Sequence, residues 1–284
     1  MTAGPLEIRP VLGIGEVRAG DDLAALVTDA APWLRDGDIL IVTSKIVSKA
    51  EGRLVDVPAD GPEREAARDA ALTAETAAVV ATRGPVRIVR TRHGFVMNAA
   101  GIDASNVAPD RLVLLPVDPD ASARRLRARL KERHGLAVAV IVSDTAGRAW
   151  RLGQTDLALG CAGLAPLRDH RGERDPYGNE LRVTLIAVAD ELAAAAELVK
   201  GKRDGVPVAV VRGYRLTGRE PDGPGVAALL RPAADDMFAL GVDEAYAAGQ
   251  ASVLGDPATS PGCRCDAGGS PAGEWASRSA STSS

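Results

Sequence analysis

The sequence predicts a mixed α/β protein. Short apolar runs rich in β-branched residues, in "DILIV" (38–42), "LAVAVIV" (136–142) and "VPVAVV" (206–211), read as buried strands. Helix-forming segments of greater length stand between them. Helix-start acids and a closing glycine mark the boundaries. With 284 residues the chain is long enough to bury a full core.

Taken in order, "DDLAALVTDAAPWL" (21–34) places apolar residues at helical spacing behind an Asp pair, and "RDGDILIVTS" (35–44) turns into a strand. "EREAARDAALTAETAAVVATR" (63–83) is helix-forming by composition. "GPVRIVRTRHGFVMNAAGID" (84–103) alternates apolar and polar residues as a half-buried hairpin turning at Gly94. "DPDASARRLRARLKERHG" (118–135) has acids at its start, a basic last turn and Gly135 to close it, and the strand 136–142 follows. "RVTLIAVADELAAAAELVKGK" (182–202) reads as strand then helix, and 206–214 as a further buried strand. From Gly255 the composition turns to Gly, Pro, Ser and Ala, so residues 1–254 are expected to be the folded body and 255–284 a disordered tail.

Hydrophobic residues at 46% and charged ones at 25% fit a globular protein. Aromatics are 3% and no basic stripe interleaves with them, which argues against nucleic acid as a partner. No run approaches the ~20 apolar residues that cross a bilayer, and the N-terminus lacks signal-peptide character, so the expected location is cytoplasmic. Cys161, Cys263 and Cys265 imply no disulfide framework, and the last two alone cannot complete a zinc site.

G-x-x-x-x-G-K-[ST], H-E-x-x-H and G-x-S-x-G are absent, and "GIGEVR" (13–18) lacks the third glycine of a dinucleotide fingerprint. Four polar stretches remain. In "TSKIVSKAEGR" (43–53) a buried strand runs out into Ser44, Lys45, Ser48 and Lys49, where two ammonium groups and two hydroxyls suit phosphate oxygens or form a solvated loop. In "GIDASN" (101–106) Asp103 and Asn106 suit an Asx-turn or cap as well as a site. Asp144 and Thr145 follow a buried strand, where hard oxygen donors suit Mg²⁺ or Mn²⁺ and where a helix cap is the alternative. Lys200, Lys202 and Arg203 in "VKGKRDGVPV" (199–208) either offset a helix dipole or hold a nucleotide. Arg148 and Arg151 suit a clamp for phosphate or carboxylate, and Trp150 is expected to face the core.

Together these stretches, with "DGDILIVTSKIVSKAEGR", "GFVMNAAGIDASNV", "LLPVDPDASARRLR", "SDTAGRAWRLGQTDLALGCAGL", "DPYGNEL", "VADELAAAAELVKGK" and "PVAVVRG" in order over about residues 7–250, resemble the coenzyme F420-0:L-glutamate ligase (F420 γ-glutamyl ligase) family. The likeness is closest to the N-terminal ligase half of actinobacterial two-domain proteins, without their flavin-binding half. The resemblance implies a family-specific two-lobed fold, neither Rossmann nor P-loop, in a homodimer. It implies GTP-dependent addition of L-glutamate to coenzyme F420-0 through an acyl phosphate, with Mg²⁺ or Mn²⁺, two ions per site, and K⁺. By matching positions it implies that Asp103 and Asp144 are catalytic metal ligands and that Thr145 is a further ligand. Ile14, Gly15, Glu16, Val17, Ser44, Lys49, Asn106, Lys200, Gly201 and Lys202 are implied to meet GTP. Archaeal members tend to be acidic where Lys202 stands, a departure that bears on the second metal. A nucleotide-binding regulatory module would instead turn nothing over, and a metal-dependent phosphohydrolase would release phosphate without glutamate.

Overall fold

The computed structural model describes residues 4–105, 107–216, 222–232, 235–236, 245–247 and 249–250. The chain divides into two compact units, Met1–Asp236 and Met237–Ser284, and the strands and helices named here lie in the first. Asn106 and the expected 254/255 boundary lie outside the described residues.

The order is β1 (Glu7–Pro10), α1 (Leu23–Ala30), β2 (Ile39–Thr43), α2 (Ser44–Ala50), β3 (Leu54–Asp56), α3 (Gly61–Glu75), β4 (Thr76–Arg83), β5 (Val86–Thr91) and β6 (Val96–Asn98). Then come β7 (Arg111–Val113), α4 (Pro119–His134), β8 (Ala139–Arg148), β9 (Arg151–Ala162), β10 (Arg168–Asp169), β11 (Leu185–Ile186), α5 (Val188–Lys200) and β12 (Val208–Arg212). The fold is mixed α/β with several sheets. The main one runs β1-β12-β2-β8-β9, with β2 and β8 parallel and the other neighbours antiparallel, so it is not a doubly wound parallel sheet.

Alternation along the strands splits the core across this sheet. Leu40, Val42, Val140, Val142, Val208 and Val210 pack with α1, α2 and α4 on one face. Ile39, Ile41, Ile141, Ala209 and Val211 pack with α5 on the other. A third cluster joins α3 to β5 and β7 through Leu72, Val89 and Leu112.

Local signals set the helix ends. Asp22 and Asp118 accept hydrogen bonds from the backbone N–H groups of Ala24 and Ala121, at 3.1 and 2.8 Å, capping α1 and α4. Gly135 closes α4 at φ 67°, in the left-handed region where a Cβ is strained. Helix α1 ends at Ala30, because Ala31 precedes Pro32 and is steered out of helical backbone.

Two sequence expectations are corrected, for the segment 63–83 and for Trp150, and two alternative readings fall away. The segment 63–83 is not one helix: from Thr76 it becomes β4, paired antiparallel with β5, because a strand partner outweighs helix propensity in "TAAVVATR". The outlet 44–50 is the helix α2 and not a solvated loop. Asp144 lies within β8 and caps no helix, since β8 and β9 form one long hairpin through the polar stretch. That hairpin carries Trp150 past the core, leaving it 76% exposed.

Helix α4 meets β9 at Gly160, where a Cβ would lie 2.2 Å from the Pro119 carbonyl carbon. Backbone cannot move aside as a flexible side chain can. Gly160→Ala is therefore expected to lose roughly 2–3 kcal/mol, read as a lower urea midpoint. An unchanged midpoint would contradict this packing.

Candidate active site

The parallel pairing of β2 and β8 ends at Thr43 and Ser143, and the residues just beyond it on both members of the pair meet at one place. Beyond β2, the four-residue spacing of α2 puts Lys45 and Lys49 on a common side. Both line a cleft of about 410 Å³ with Ile14, Gly15, Glu16 and Val17 of the N-terminal loop. Lys200, Gly201, Lys202 and Arg203 close its other wall, and Thr145 of β8 reaches it too. Folding thus gathers into one cavity most of the residues that the sequence pointed to for a nucleotide.

Ser44 and Ser48 differ from that expectation. They occupy the other side of α2, 4% and 1% exposed, and are not among the residues lining the cleft. The polar side chains of α2 that line the cleft are therefore Lys45 and Lys49. Lys49 is buried, with Nζ 2.6 Å from Oε1 of Glu16, which ties the N-terminal loop to α2.

A second, polar cavity of about 200 Å³ holds Asp103, Asp144, Thr145, Asn98, Arg68 and Gln154 among its lining. Thr145 and Lys202 line both cavities, so the two meet there. Asp103 is fixed by backbone pairing with Val113, and its Oδ1 accepts the Ser105 N–H at 2.6 Å. The Asx-turn reading is thus realised, and the same carboxylate still faces the cavity. Its Oδ2 lies 2.7 Å from Lys45 Nζ. Burial opposes its ionisation, but Lys45 and the Ser105 N–H outweigh that and hold the carboxyl below its ordinary range.

Asp144 behaves oppositely. Burial pushes its carboxyl up to about 7; the Thr145 N–H works against this, while Asp156 and Asp103 add repulsion that Lys45 partly offsets. The backbone before Asp103 is also strained: Ala99 and Ala100 have φ of 49° and 52°, in the left-handed region.

Two residues complete the floor: Asp156, which sequence reasoning passed over, and Lys200, which it read as a nucleotide contact or a partner of the helix dipole. Asp156, 2% exposed, stands opposite Thr145 in the β8–β9 register. Its Oδ1 accepts the Thr145 hydroxyl at 2.9 Å, and its Oδ2 accepts the Ser143 hydroxyl at 2.8 Å. Lys200 continues the inward row Leu192, Ala196 of α5, and its Nζ lies 2.5 Å from Asp156 Oδ2. The signal was present in both: an acid alternating with buried Ala158, and a lysine four residues past a buried alanine. Arg148 and Arg151 are exposed near the tip of the β8–β9 hairpin and line neither cavity.

The donor set suits a hard divalent cation. Asp103, Asp144 and Thr145 offer carboxylate and hydroxyl oxygens, the ligands Mg²⁺ and Mn²⁺ favour. Among the described residues no three His, Cys, Asp or Glu side chains converge on one point. Mg²⁺ is usually held by one or two carboxylates, with substrate phosphates and water completing the shell. No described helix is long and apolar enough to cross a membrane.

Fold and site together define a mixed α/β protein whose lysine-lined cleft opens beside an acid-bearing polar cavity where two parallel strands stop pairing. Residues 12–213 match the family model described as F420-0:Gamma-glutamyl ligase, and the chain belongs to that family. It is 43% identical over 244 residues to the coenzyme F420:L-glutamate ligase of Methanothermobacter thermautotrophicus, covering 80% of this chain and 96% of the relative. The protein of the same name from Methanopyrus kandleri is 42% identical over 246 residues, covering 82% and 97%. That from Haloarcula marismortui is 43% identical over 226 residues, covering 74% and 88%.

Proposed function

We propose that the protein joins L-glutamate to coenzyme F420-0 in an amide bond, at the expense of GTP, and extends the product by γ-glutamyl linkage. The observation that carries this reading is the junction at Thr145 and Lys202, where a cleft of nucleotide size opens onto a cavity bearing two aspartates.

An ionised carboxylate is a poor electrophile, so amide formation in water needs an activated acyl group. In the proposed sequence a carboxylate oxygen of F420-0 attacks the terminal phosphorus of GTP, the bond to the bridging oxygen breaks, and GDP leaves. The deprotonated amine of glutamate then attacks the acyl carbon, the C–O bond to phosphate breaks, and the departing phosphate takes up the proton that the nitrogen loses. Lys45 and Lys49 bind the triphosphate as compact charges, and the loop 14–17 covers it. Asp103 and Asp144, with Thr145, would hold a Mg²⁺ or Mn²⁺ ion. When bound, that ion neutralises the triphosphate and helps align it. The Thr145 hydroxyl donates its hydrogen bond to Asp156, which leaves its oxygen lone pairs available as acceptors.

Incubation with F420-0, glutamate and GTP is expected to give products heavier by successive glutamyl units in mass spectrometry, and none without GTP. Product formation with GTP omitted would overturn the reading. Lys49→Ala is expected to raise KM for GTP by about 10-fold or more with a smaller change in kcat, because it removes a phosphate contact present before and during the reaction. An unaltered KM would remove Lys49 from the nucleotide cleft.

We also propose a homodimer. The support is the family resemblance, together with Leu152 and Tyr177, large side chains left 99% and 91% exposed. Sedimentation at micromolar concentration is expected to give twice the chain mass, and a monomer would contradict it.

A further inference from the structure

We propose that the Lys200 ammonium is a resident cation of the site, standing beneath Thr145 where a second divalent ion would otherwise bind, so that the chain takes one such ion. The inference rests on the proposed metal site at Asp103, Asp144 and Thr145.

The geometry around Lys200 is that of an occupied cation pocket. The side chain is 3% exposed, and Nζ lies 2.5 Å from Asp156 Oδ2, 3.0 Å from Ser143 Oγ and 3.4 Å from Glu197 Oε2. An ammonium has three N–H donors, and three oxygens surround this one. Carboxylate, hydroxyl and carboxylate are also the donors a hard metal ion would seek.

Asp156 has both carboxylate oxygens engaged, and Oδ2, the one beside Lys200, accepts two bonds. Its Oδ1 is taken by the Thr145 hydroxyl, and its Oδ2 by Lys200 and the Ser143 hydroxyl. A divalent ion at this point would have to expel a buried ammonium or sit beside it, and like charges at such range in a poorly solvated interior repel strongly. Lys202 adds a second fixed positive side chain to the wall that both cavities share. The chain therefore supplies by lysine the positive charge that a two-ion site draws from a second metal.

Equilibrium dialysis of the full-length protein against Mn²⁺, with and without GDP, tests this by counting the excess Mn²⁺ held with the protein. The wild type is expected to retain one ion per chain. Lys200→Met, which keeps the length of the side chain and removes its charge, is expected to retain two. The second is expected to be lost again in the Lys200→Met, Asp156→Asn double variant, and Lys200→Arg is expected to stay at one.

Two ions in the wild type would overturn the proposal, and so would a folded Lys200→Met protein that holds no more than the wild type. If Lys200→Met does not fold, the wild-type count decides alone. Failure of the underlying site reads differently. Asp144→Asn retaining the same ion would refute Asp144 as a ligand, whereas a wild type with none beside a Lys200→Met protein with one would refute the ligands Asp103 and Asp144 while upholding the role of Lys200.

Discussion

Asp144→Asn is expected to abolish ligation and to raise the melting temperature of the metal-free protein above pH 7. The two effects share a cause. The Asp144 carboxyl is pushed up to about 7, first by burial and then by the nearby charges of Asp156 and Asp103. A carboxyl raised in the folded state binds more protons there than in the unfolded chain, so its charge subtracts stability as pH rises from the ordinary carboxylate range through about 7. Asn keeps the shape and removes the charge. The gain should be on the order of 1–3 kcal/mol at pH 8, after allowance for partial exposure, and should vanish near pH 4, where both side chains are neutral.

Turnover should move the other way by about 10³-fold or more, since an amide is a far weaker partner for a divalent ion than a carboxylate. Stability and function are thus opposed at one residue, as expected where buried charge is kept for chemistry. A variant that melts lower at pH 8, or that ligates at near-normal rate with little metal, would contradict the role assigned to Asp144.

The second large effect is expected at Lys45. Its ammonium bonds Asp103 Oδ2 at 2.7 Å and Ser105 Oγ at 2.9 Å, and its side chain lines the cleft. It is a direct link between the proposed nucleotide site and the acids of the polar cavity. Lys45→Met removes a charge from the triphosphate and deprives Asp103 of the partner that most lowers its pKa. We expect kcat/KM for GTP to fall by about 10²–10⁴-fold, with the metal concentration needed for half activity also changed. A loss confined to KM for glutamate would place Lys45 in a different role.

Much of this arrangement was legible before folding. The strands β2, β8 and β12 follow from their apolar runs, and α4 from Asp118 and Gly135, because those signals are local. Lys49, Asp103, Asp144 and Thr145 stood out as polar residues at strand ends or just beyond them, where a fold built for stability alone needs only turn residues. What sequence did not disclose depends on partners distant along the chain. Helix α2 was hidden because "SKIVSKA" is polar and short, and only burial of Ile46 and Val47 against the sheet shows its period. The Asp156–Lys200 pair joins β9 to the end of α5, 44 residues apart, and no local pattern announces which acid answers a buried lysine. Trp150 misled for a related reason. Its size suggested the core, but hairpin register carries it beyond the sheet's packed region.

The proposed acyl phosphate is most directly tested by isotope transfer. F420-0 carrying ¹⁸O in its acceptor carboxylate, incubated with the protein, glutamate, GTP and Mn²⁺, is expected to deliver one ¹⁸O into inorganic phosphate for each amide formed on it. The label can reach phosphate only if that carboxylate oxygen becomes bonded to the transferred phosphorus. Amide formed with unlabelled phosphate, or phosphate released equally fast without glutamate, would contradict the account.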